Sequence, residues 1–330
     1  MFAIPQLASD AAHDPIRLAD WVELNLLFDE EPVISLAQVT NELAGIPPDD
    51  SDDSERRFSF SDDDDTEAEE TTSGFWETAE DWAEAGFSEL RDRATWLGDA
   101  YPLEVNGETV LLSTNEATRN VSRFLILLRA RQLYQGAMGD DAEVSGRIFE
   151  SLVKHALGTY VDTEHRVRFG VAGGYRGSGL PDSLPEAIEE MRQRLHEERG
   201  IVPSGAEGDY KADAIAWKPF GDRRPGQLLV IGQATISEGD WTKERVARRW
   251  TDRNSPEERL INLLARPVTA VAFPETLSLT SRETLKGLVY SSIPFDRLRL
   301  LSLLRDDDLP TSLRTDMDSW VQDIGDRLPR

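Results

Sequence analysis

Two apolar runs facing each other across a cluster of turn formers constrain this chain more than any other feature. Asp213 to Trp217 is a short apolar run that opens on an acid, and Gln227 to Gln233 is a second, mostly apolar one. Between them, Lys218 to Gly226 holds Pro219, Gly221, Asp222, Pro225 and Gly226, so the spacing predicts a hairpin of two short strands. The acid that opens the first strand then stands close to the polar residues that end the second, where both leave the apolar core. Such a place can hold a metal ion. Side chains two apart on a strand share a face, which groups Gln233 with Thr235, and Lys211 with Asp213 if the first strand begins that early.

Helical and strand patterns alternate around the hairpin, which predicts an α/β fold. Ser145 to about Leu157 reads as a helix with Ile148, Phe149, Leu152 and Val153 inward; residues 165–170 (HRVRFG) read as a strand, and Pro185 to Arg199 as a charged helix. Further on come a helix from Pro256 to Arg266, a strand from Val268 to Phe273, an apolar segment from Gly287 to Ile293, and helices over Phe295 to Arg305 and Thr311 to Leu328. In the N-terminal part, Asp14 and Pro15 start a helix that runs to about Phe28. A second begins at Ser35, with Gln38 in the reciprocal capping position. Phe75 to Leu97 and Phe124 to Tyr134 are amphipathic or apolar helices, and Tyr101 to Leu112 is a hairpin turning at Asn106 and Gly107. The expected organisation is a helical segment over 1–46, an acidic disordered linker or loop over 47–74, a helical region with a hairpin over 75–136, and an α/β domain over 140–330.

Charge narrows the function. The formal net charge is -26, and the run from Asp49 to Glu70 supplies twelve acids against Arg56 and Arg57. Proteins bind nucleic acid by neutralising phosphates with Lys and Arg, so any such binding here needs a local basic patch, a metal or a partner. The most basic stretch is WTKERVARRWTDR, with Lys243, Arg245, Arg248, Arg249 and Arg253. Lysine is scarce, confined to positions 154, 211, 218, 243 and 286. With no cysteine there is no disulfide framework or thiolate zinc site, and no segment reads as a signal peptide or membrane span; the expectation is a cytoplasmic protein.

The pattern G-D-x-x-x-D over Gly208 to Asp213, then an apolar strand ending Q-x at Gln233, resembles the Mrr-like branch of the PD-(D/E)XK restriction-endonuclease superfamily. Gly146 to Glu150 resembles that family's first core helix, with its G-x-x-F-E and a site glutamate. The resemblance covers roughly residues 140 to 250. It implies a restriction-endonuclease-like core, a mixed central sheet flanked by helices, and a nuclease that cleaves DNA with Mg2+ or Mn2+. The metal would be held by Glu150, Asp213 and Gln233, with Asp209 holding a metal-bound water or capping the strand entry. Where the family has its lysine this chain has Thr235; Lys243 is the chosen stand-in and Lys211 the alternative. Arg245, Arg248 and Arg249 are the expected phosphate contacts. Family analogy adds a role in antiviral defence, with a helicase or ATPase partner bringing the DNA. Thr235 equally supports a catalytically inactive nuclease fold kept as a scaffold or interaction module, and a third reading is an interaction protein whose acidic loop engages a basic partner.

Overall fold

In the computed structural model, the described residues are 14–28, 33–45, 78–130, 142–171, 179–201, 212–236, 250, 260–277 and 292–327. They divide into two compact units. One comprises Ile4–Trp96 and Leu103–Leu112; the other comprises Met1–Ala3, Leu97–Pro102 and Ser113–Arg330. The acidic segment over 47–74 lies outside the described residues.

In the first unit, α1 (Pro15–Phe28) starts where Asp14 Oδ1 accepts from the Ile16 and Arg17 N–H groups. Strand β1 (Val33–Ser35) leads into α2 (Leu36–Ala44), whose capping box joins Ser35 and Gln38 as the sequence predicts. Helix α3 (Ala79–Leu97) follows, then the hairpin of β2 (Leu103–Asn106) and β3 (Thr109–Leu112). Gly107 takes a positive φ of 61° in the turn. β1 adds to this hairpin, giving an antiparallel sheet in the order β1-β3-β2. Arg93 is fully buried, donating to Asp20, Glu23 and Glu89 at 2.7, 2.7 and 2.8 Å.

The second unit contains α4 (Arg119–Ala130), α5 (Ala142–Tyr160), β4 (Arg166–Arg168), α6 (Leu184–Leu195), β5 (Glu198–Arg199), β6 (Ala214–Lys218), β7 (Leu228–Ala234), β8 (Ile261–Asn262), β9 (Val268–Ala272), β10 (Ile293–Phe295), α7 (Arg297–Leu303) and α8 (Thr311–Arg327). Its centre is a mixed five-stranded sheet in the order β10-β9-β7-β6-β4. β4, β6 and β7 form an antiparallel meander; β9 runs parallel to β7, and β10 parallel to β9.

Helices cover the sheet because strand alternation makes each face apolar. On one face, Val167, Phe169, Ile215, Trp217, Leu229, Ile231, Val271 and Phe273 form a cluster with Trp250 and the Leu184, Ile188, Met191 and Leu195 side of α6. Fully burying a side chain of this kind stabilises by about 1.5–3 kcal/mol. The other face takes α5, seated on small residues. A Cβ at Gly232 would lie 2.7 Å from Leu157 Cδ1, and Ala214 is its cross-strand partner.

The helix expected from Pro256 to Arg266 is corrected over its described part, 260–266. There Ile261 and Asn262 pair with β5, and the Leu264 N–H donates to the Glu197 carboxylate at 3.0 Å, as does that of Gly226 at 2.9 Å. These tertiary bonds use backbone donors that a helix would need, so they override a local helical pattern.

His155 of α5 is 6% exposed, and its Nε2 is buried without a hydrogen bond. Burial, then the neighbouring charges of Lys154 and Arg166, lower its pKa from 6.5 to about 3. The unfolded chain therefore binds the proton first. Stability owed to the neutral ring is complete above pH 6.5 and lost as pH falls toward about 3. Denaturant unfolding across this range should show a steeper acid loss for the wild type than for His155→Gln; parallel curves would refute this.

Candidate functional site

Three of the predicted site residues, Glu150, Asp213 and Gln233, lie near the end of the sheet where β4 ends, β6 begins and β7 ends, and Asp213 joins the three strands. Its N–H donates to Gly232 O at 2.9 Å, and its carbonyl accepts from the Phe169 and Gly170 N–H groups at 2.7 and 2.9 Å. Its carboxylate Oδ2 accepts from Ala234 N at 2.6 Å. The side chain thus takes a place in the ladder that a strand carbonyl would otherwise fill, and it is fixed by that bond.

Glu150 reaches the same end of the sheet from α5. Its carboxylate lies against Gly170, where a Cβ would come within 2.5 Å of Cδ and Oε2. Only glycine leaves that space. Arg168 Nη1 donates to Glu150 Oε2 at 2.9 Å, with the two side chains 4% and 10% exposed. Glu150 is therefore a buried, ion-paired carboxylate. Gly170 touches both residues: its N–H donates to the Asp213 backbone carbonyl, and the Glu150 carboxylate packs on its open face.

Gln233 is buried at 4% exposure. Because Gly232 faces α5, Gln233 leaves β7 on the opposite face, that of Ile231 and Val271. Glu150 and Gln233 thus approach from opposite sides of the sheet, with Asp213 where the faces end. Thr235 is buried, and its N–H donates to Ala272 O at 2.9 Å, which carries the pairing onto β9. Asp209, Lys211, Lys243, Arg245, Arg248 and Arg249 lie outside the described residues.

Arg168 and Gly170 are site residues that the sequence reading does not single out. The signal for Arg168 is present: in HRVRFG the two arginines alternate with Val167 and Phe169, so both turn away from the apolar face toward a helix carrying Glu150.

Two carboxylates and a carboxamide oxygen are hard donors of the kind that Mg2+ or Mn2+ takes, so the chemistry of the set fits the expected ion. Among the described residues, no group of three or more His, Asp or Glu side chains is placed to hold a metal. Arg168 also places its positive charge against Glu150, so a cation bound there would share the carboxylate with the guanidinium.

Removing one partner of a buried pair strands the other charge. Glu150→Gln and Arg168→Met should each destabilise by about 3–5 kcal/mol, and the double variant should recover most of that loss. Denaturant unfolding of the four proteins measures the coupling; strictly additive losses would refute it. No protein-family model, curated protein or solved structure matches this chain.

Proposed function

We propose that this chain is a metal-dependent nuclease that hydrolyses phosphodiester bonds in DNA, as a subunit of a defence-type assembly. The observation that carries the reading is that the Glu150 carboxylate packs on Gly170 while the Asp213 backbone carbonyl accepts from the Gly170 N–H, which brings a helix carboxylate and an acidic strand end to the same end of a mixed sheet. The order of elements adds support. A helix bearing Glu150 precedes an antiparallel meander with Asp213 opening its second strand and Gln233 near the end of its third, and a parallel strand follows. This suits the restriction-endonuclease-like core that the sequence motifs resemble.

In this reading Asp213 is the principal ligand, oriented by the Ala234 N–H, and Glu150 the second, oriented by Arg168. Gln233 offers a neutral oxygen. Bound metal would polarise the phosphate and make water a better nucleophile at neutral pH. Lys243 steadies the developing charge, because Thr235 at the motif position has none to give. Arg245, Arg248 and Arg249 contact the substrate backbone, and a helicase or ATPase partner presents the DNA to a chain of this net charge.

A second reading, an inactive nuclease fold serving as a scaffold, is favoured by Thr235 and by the buried Glu150–Arg168 pair, which already neutralises one ligand. Cleavage of single- and double-stranded DNA with Mg2+ or Mn2+ separates the two. For the nuclease, Asp213→Ala and Lys243→Ala should each lower the rate by ~100-fold or more, the equivalent of ~3 kcal/mol. If the wild type cuts neither substrate, alone or with candidate partners, and its melting temperature ignores both metals, the scaffold reading replaces it.

A further inference from the structure

The two acids of the proposed site are held by different kinds of donor. Asp213 Oδ2 accepts from the Ala234 N–H at 2.6 Å, while Glu150 Oε2 accepts from Arg168 Nη1 at 2.9 Å. A backbone N–H orients a carboxylate and leaves its charge for a cation. A guanidinium brings an opposite charge of its own. Asp213 is thus poised for a metal ion, whereas Glu150 is engaged by a cation that the chain itself supplies.

The backbone fixes Arg168 in this position. Cross-strand pairing sets it opposite Ala214, the residue after Asp213, and the Phe169 and Gly170 N–H groups that follow it both donate to Asp213 O, at 2.7 and 2.9 Å. Its Nη1 also reaches Gly170 O at 3.4 Å, so the guanidinium lies beside the glycine on which the Glu150 carboxylate packs. Alternation along β4 turns Arg168 away from Val167 and Phe169, which join the apolar cluster on the other face. Both charged side chains are buried, and solvent ions screen such a pair little.

A divalent ion that takes Glu150 must displace this guanidinium or sit against it. Displacement strands a buried charge, and close approach sets a divalent cation beside a monovalent one. Either way the ion pair opposes the metal.

We propose that Arg168 is an internal latch on the metal site: it holds Glu150 in an ion pair, so that a metal ion binds through Asp213 first and gains Glu150 only when the guanidinium releases it. That this end of the sheet takes a metal at all rests on the proposed nuclease reading. Arg168 is then a positioning residue whose removal strengthens metal binding.

The test is Mn2+ binding to the full chain, followed by the paramagnetic signal of the free ion and by the Mn2+-induced shift in melting temperature, for wild type, Arg168→Gln, Arg168→Lys and the double variant Arg168→Gln/Glu150→Gln. Arg168→Gln keeps a hydrogen-bond donor beside Glu150 and removes the charge, so it should bind Mn2+ about 10-fold more tightly than wild type. Arg168→Lys, which keeps the charge, should stay near wild type, and the double variant should lose the gain. A merely supporting role predicts the reverse, since removing a group that orients a metal ligand typically weakens binding about 10–100-fold. Arg168→Gln binding Mn2+ no more tightly than wild type, a gain that survives in the double variant, or no binding by any of the four would overturn the latch.

If Arg168→Gln does not fold, single variants that keep Arg168 decide. Glu150→Gln should then leave Mn2+ affinity within about 3-fold of wild type, whereas Asp213→Asn should lower it about 10-fold or more; equal losses would overturn the latch as well. Its failure is separate from that of the nuclease reading. A wild type that cleaves DNA with Mn2+ while Arg168→Gln gains no affinity keeps the nuclease and loses the latch. A Glu150-dependent gain in a protein that cleaves nothing keeps the latch and loses the nuclease.

Discussion

Asp213 is the constraint on which the arrangement depends. At the end of a sheet, backbone donors and acceptors lose their neighbours, and burying them unpaired costs more than most single contacts return. Here one residue satisfies groups on β4, β6 and β7 together, using its N–H, its carbonyl and its carboxylate. Because its carbonyl takes the Gly170 N–H, it also fixes the glycine against which Glu150 packs. The position of the helix carboxylate and the closure of the sheet are one problem with one solution.

Each unit holds a buried arginine. Arg93 is enclosed by Asp20, Glu23 and Glu89, an excess of negative charge around one guanidinium. In the second unit Arg168 is buried against Glu150 at 2.9 Å. Desolvating a charge costs several kcal/mol and is recovered only through good partners, so neither arrangement follows from packing alone. The first resembles a structural clamp with every arm of the guanidinium used. The second has Lys154 half-buried, with the charges of Arg166 and Arg168 nearby.

What was legible in the sequence was local or strictly alternating. The Ser35 and Gln38 capping box, the Asp14 start and the hairpin around Pro219 to Gly226 follow from residues a few positions apart, and each stands where the pattern puts it. Asp213 could be found because an acid opening a buried strand is conspicuous. Arg168 could not be assigned to Glu150, since the register of α5 on β4 depends on Gly158, Gly170 and Gly232 admitting close approach. The misread helix before Pro267 has the same cause: Glu197, 67 residues before Leu264, takes its N–H. β1 was missed as well, being three residues whose only reason to be extended is β3.

Both edges of the five-stranded sheet are poor templates for another strand. β4 is three residues long and puts arginine at positions 166 and 168, and β10 is equally short with Pro294, which has no N–H, at its centre. Such edges resist the edge-to-edge pairing by which exposed sheets aggregate or recruit extended peptides. A partner that docks on this unit must therefore read side chains and helix surfaces, and its affinity will respond to point substitutions far more than strand addition would.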